Sequence, residues 1–83
     1  MITPDTLKAT IEAALPGAVV QVTDYTGTND HYQVTVVAPQ FEGKGLVEQH
    51  QMVYAPLMDR IGSNEVHALS LRTMTPAEHK KFG

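Results

Sequence analysis

The chain has 83 residues, 42% of them apolar and 18% charged, with 6 basic side chains against 9 acidic ones, a net charge of −3 and no cysteine. That length holds one domain, expected to span residues 1–83, with a modest core; the missing thiols exclude disulfides, thiolate zinc sites, a cysteine nucleophile and a self-sufficient thiolate-held iron–sulfur cluster. The negative balance argues against a phosphate-neutralising surface as the main binding device.

The first element is a helix over residues 3–15. Thr3 can cap it, Pro4 suits the first helical position, Asp5 favours the positive end of the dipole, and Ile2 and Leu7 are spaced as a hydrophobic staple. Leu7, Ile11, Ala14 and Leu15 form one apolar stripe that Pro16-Gly17 ends. Two strands, Ala18 to Tyr25 and His31 to Ala38, are joined by Thr-Gly-Thr-Asn-Asp and read as an antiparallel hairpin. In the second, Tyr32, Val34, Val36 and Ala38 share one face, and His31, Gln33, Thr35 and Val37 the other.

Pro39 to Gly45 reads as a loop, followed by a long helix over Leu46 to Ile61. Its predicted core seam is Leu46, Val47, His50, Val53, Tyr54, Leu57, Met58 and Ile61. Pro56 inside it predicts a kink, or a split into two helices, near Tyr54 to Ala55. Glu65 to Thr73 follows as a third strand, and Thr75-Pro76-Ala77-Glu78 is a capping box that starts a short helix through Lys81. The fold class is therefore α+β, a three-stranded mixed sheet with helices on one face in the order α-β-β-α(kinked)-β-α. A crossover as long as the one between the second and third strands makes them parallel, which brings His31 and His67 to one end of the sheet.

Catalytic constellations are hard to assemble. Ser63 and Ser70 lack a nucleophile-elbow context, no nucleotide-binding glycine loop is present, and Asp24, Asp30, Glu42 and Glu48 are scattered, so no enzymatic activity is expected. Each histidine has a bland reading beside its functional one. His31 fits a solvated loop, His67 a hydrogen-bonded strand residue, His50 the packed seam of the long helix, and His79 the surface. Two imidazoles do not complete a metal site, so a centre using His31 and His67 would take its remaining ligands from a partner. For nucleic acid the candidate is Lys44 in Phe41-Glu42-Gly43-Lys44-Gly45. The strand-helix-strand layout is similar to KH-type RNA-binding modules, whose clamp is Gly-x-x-Gly, but the Gly-x-Gly spacing and Glu42 and Glu48 nearby favour a helix-entry loop.

Taken together, Phe41-Glu42-Gly43-Lys44, Val53-Tyr54-Ala55-Pro56-Leu57-Met58, Val66-His67-Ala68-Leu69-Ser70-Leu71 and Thr75-Pro76-Ala77-Glu78 resemble the BolA-like family over essentially the whole chain. The resemblance implies a class II KH-like fold and a non-enzymatic partner of monothiol glutaredoxins carrying Cys-Gly-Phe-Ser. It also implies a [2Fe-2S] cluster shared with the glutaredoxin and glutathione and absent from the chain alone, with His67 as one ligand. It implies a His or Cys in the loop between the first two strands as the other ligand, a place for which His31 is the only candidate here. The alternative it carries is a KH-like nucleic-acid-binding transcriptional regulator. Against that stands Gln49-His50-Gln51, where many members have Arg-His-Arg. The sequence leaves self-association as a homodimer open. It points to no membrane partner: the longest apolar run, Met52-Val53-Tyr54-Ala55, is far below the ~18 residues of a membrane span. Met1-Ile2-Thr3-Pro4-Asp5 lacks the basic and apolar regions of a secretory signal, so a cytoplasmic address is expected.

Overall fold

The computed structural model describes residues 3–24, 32–61 and 69–82. Helix α1 is Pro4–Ala14. Its entry is built as the residue types dictate: the Thr3 hydroxyl accepts the Thr6 N–H at 3.2 Å and shares a 2.8 Å hydrogen bond with the Thr6 hydroxyl, and Pro4 takes the first turn, where its missing N–H costs nothing. Ile2, one half of the expected staple, lies outside the described residues. Leu7, Ile11 and Leu15 are buried, and the chain turns out of the helix through Gly17, whose φ of 86° suits glycine.

Strands β1 (Val19–Asp24) and β2 (Tyr32–Val37) pair antiparallel from Val19↔Val37 to Asp24↔Tyr32. Strand β3 (Leu69–Met74) pairs parallel with β2, from Tyr32↔Leu69 to Val37↔Met74, which gives a mixed sheet in the order β1-β2-β3. The parallel crossover thus follows from the length of chain between the strands. Residues 65–68 of the expected third strand lie outside the described residues, and at its other end the strand reaches Met74.

Pleating sends Val20, Tyr32, Val34 and Val36 to one face, where they are buried against Leu7 and Ile11 of α1 and Val53 and Leu57 of the long helix. The other face exposes Gln21, Thr23, Gln33, Ser70 and Arg72. Val37 and its register partner Met74 are buried on that second face, outside the main cluster and beside the exit of β3 toward the last helix.

Part of the expected loop after β2 is a 3₁₀ turn, Pro39–Phe41, which buries Phe41 in the core. Gln40 ties this turn to the end of α1 by donating from Nε2 to the Pro16 carbonyl at 2.8 Å. Helix α2 then runs as one element over Leu46–Ile61 with Pro56 inside it, so the expected split is not observed. Proline removes one ladder bond, but Val53 and Leu57, buried on either side of Pro56, fix both halves against the sheet.

The expected seam of α2 also needs correcting. Val53 and Leu57 face the core, whereas Leu46 is exposed, Val47 is 71% exposed and Met58 is 51% exposed. His50 and Tyr54 are half-buried. The position that completes the inward face is Gln49, only 7% exposed, at four and eight residues before Val53 and Leu57. Helix α3 (Pro76–Phe82) closes the chain with the expected reciprocal box: the Thr75 N–H donates to Glu78 Oε1 at 2.9 Å, and the Glu78 N–H to the Thr75 hydroxyl at 3.2 Å.

Candidate functional site

The geometry that matters for the two candidate ligands is the start of β2 and β3. Tyr32 opens β2, Leu69 opens β3, and the parallel register sets them side by side. Tyr32 is buried and Leu69 half-buried, both on the core face, so this sheet end is anchored by packing. His31 and His67 themselves lie outside the described residues; in sequence they precede Tyr32 by one residue and Leu69 by two.

The other two histidines are placed. His50 meets Tyr54 one turn on in an edge-to-face contact, ring centroids 6.2 Å apart at 88°. His79 is exposed on α3, and its backbone N–H closes the first turn onto the Thr75 carbonyl. Among the described residues no three His, Cys, Asp or Glu side chains gather where they could hold a metal ion.

Lys44 is exposed in the loop that leads into α2. That loop is organised from below. Gly43 adopts a φ of 76°, the Lys44 N–H donates to the Phe41 carbonyl at 3.0 Å, and the Gln49 N–H to the Gly45 carbonyl at 3.0 Å. The buried Gln49 side chain completes it. Its Nε2 donates to the Lys44 carbonyl at 2.9 Å and reaches the Phe41 carbonyl at 3.5 Å, while its Oε1 accepts from the Thr73 hydroxyl of β3 at 2.8 Å. Sequence reasoning missed this latch. The signal available was helical phase: a polar residue in register with Val53 and Leu57 must bring hydrogen-bond partners inside with it.

The fold is an α+β domain with a three-stranded mixed sheet whose parallel pair starts at Tyr32 and Leu69. The chain matches the family described as BolA-like protein over residues 5–78 and belongs to that family. It is similar to the acid stress protein IbaG of Escherichia coli (strain K12), with 39% identity over 69 residues, 82% of this chain and 82% of that protein. Among solved structures, a BolA protein homologue from Coxiella burnetii superimposes with a TM-score of 0.78 at 33% identity, covering 96% of this chain and 99% of that one. The BolA domain of SufE1 from Arabidopsis thaliana gives 0.68 at 30% identity, covering 90% and 93%. Among the described residues no helix is long and apolar enough to cross a membrane.

Proposed function

We propose that this chain is a non-enzymatic partner of monothiol glutaredoxins, and that His31 and His67 help to hold a [2Fe-2S] cluster bridged between the two proteins. The observation that carries the reading is the parallel register of Tyr32 with Leu69. Paired strands lie about 4.8 Å apart, and chain connectivity holds the Cα of His31 within about 4 Å of that of Tyr32 and the Cα of His67 within about 7 Å of that of Leu69. That register supports a reading in which the residues just before the two strands act together.

The donor set suits a shared centre. A chain with no cysteine has no thiolate to offer, while imidazole is a competent ligand for one iron of a [2Fe-2S] centre. Glutaredoxin and glutathione supply the sulfur ligands in this reading. A cluster held partly by imidazole has a raised potential and a pH-sensitive ligand shell, which suits transfer or iron sensing in a cytoplasmic setting. Family membership supports the reading.

The nucleic-acid reading keeps Lys44 as its contact, but the loop around that lysine is accounted for by the latch that holds the entry of α2. The test of the cluster reading is anaerobic reconstitution with a monothiol glutaredoxin and glutathione, followed by visible absorption and circular dichroism. The native pair is expected to give cluster bands, which His67→Ala and His31→Ala each alter. Spectra unchanged in both variants would show the ligand assignment to be wrong.

A further inference from the structure

β1 is an edge strand: among the described residues its only strand neighbour is β2, and its second side meets no strand. Edge strands are commonly blunted by lysine, proline, a bulge or short length. Over Val19–Thr23 none of these devices is present, and Val19 is 53% exposed on the open sheet face.

The sequence of this edge has a symmetry. Val19-Val20-Gln21-Val22-Thr23 is nearly palindromic about Gln21, with the β-branched pair Val19 and Thr23 at equal distances. An antiparallel pair of identical strands related by a two-fold axis places residue i opposite its mirror position, so a palindrome gives like-with-like contacts. We infer that the β1 edges of two copies of this chain pair antiparallel about Gln21 and extend the sheet to six strands across the molecular two-fold.

In that register Val20 of each copy faces Val22 of the other on the core side. Val19 faces Thr23 on the open side, which covers the exposed valine. The two Gln21 amides meet at the axis, where each can donate to and accept from the other. No charge lies between Val19 and Thr23, and Asp24, the one charge on the strand, falls opposite Ala18, so the two Asp24 positions are six residue steps apart along the ladder, about 20 Å. The outer edge of β3 lacks this match, because Arg72 near its centre would meet its own copy.

The pairing is independent of the cluster reading, since it uses neither histidine. Gln21 is exposed, so replacing it leaves the monomer's core intact. The native chain is expected to self-associate reversibly in sedimentation velocity as its concentration rises to about 1 mM. Gln21→Lys and Gln21→Glu each place like charges at the axis and should weaken association at least about tenfold, while an equimolar mixture of the two restores a heterodimer. Gln21→Cys, the only thiol in such a chain, should cross-link under a thiol oxidant, because directly opposed strand residues lie within disulfide reach. Circular dichroism checks that the variants fold. A native chain that stays monomeric over the whole range overturns the inference. So does a dimer untouched by the Gln21 substitutions, or one lost instead in Val47→Glu, which would move the interface to the exposed side of α2.

Discussion

Gln49 is the position where a single substitution should cost most for its size. Its side chain is buried and joins three separate parts of the chain: α2, the loop carbonyl of Lys44, and the Thr73 hydroxyl of β3. In Gln49→Leu the volume and helix propensity are nearly kept, but the Thr73 hydroxyl and the Lys44 carbonyl lose their partner. Each of the two short hydrogen bonds is worth about 1 kcal/mol net, and stranding half-buried partners adds to that, so the loss should be about 2–3 kcal/mol. The 3.5 Å contact to the Phe41 carbonyl is too long to add much. Against a total of roughly 4–12 kcal/mol for a domain of this size the effect is readily measured. Urea unfolding with linear extrapolation gives the number, and an unchanged m-value shows that the loss is in native stability. Thr73→Val should cost about 1 kcal/mol alone, and the double variant should fall short of the sum of the singles by about 1 kcal/mol, since the second change removes a group already stranded. Additive losses, or a Gln49→Leu loss below about 0.5 kcal/mol, would refute the latch.

Two further substitutions test the local devices. Thr75→Ala removes the hydroxyl that receives the Glu78 N–H and should destabilise α3 by about 1 kcal/mol, seen as faster amide hydrogen exchange in its first turn. Gly17→Ala meets no atom within 4 Å of the added Cβ, so its expected loss of about 1 kcal/mol in chemical unfolding comes from the φ of 86° alone.

What was legible in the sequence was local or topological. The caps at Thr3 and Thr75 act over three residues, so the residue types alone locate both helix starts. The parallel pairing of β2 and β3 followed from the length of the intervening chain, and period-two alternation put Tyr32, Val34 and Val36 on one face, which the structure buries. Ala18 and Ala38, the paired ends of the β-prone runs, fall just outside β1 and β2, because pairing sets where a strand stops, while Tyr25 and His31 lie outside the described residues.

The phase of α2 was misread for a reason the structure makes plain. The helix carries two apolar stripes. Val53 and Leu57 lie on one, while Val47, Tyr54 and Met58 lie on a second that faces largely outward. At 100° per residue an apolar count cannot choose between them, and the residue that decides is polar. Gln49 turns inward because Thr73, 24 residues away, and the Lys44 carbonyl offer it partners there. A buried amide with distant partners leaves no mark in hydrophobic periodicity. The same separation governs the candidate site. What the sequence could supply for His31 and His67 was a topology, and that topology rests on Tyr32 and Leu69, residues held by the core. The ligand reading therefore depends on packing at the sheet end as much as on the histidines. A substitution that loosens Tyr32 should disturb any shared centre even with both imidazoles present.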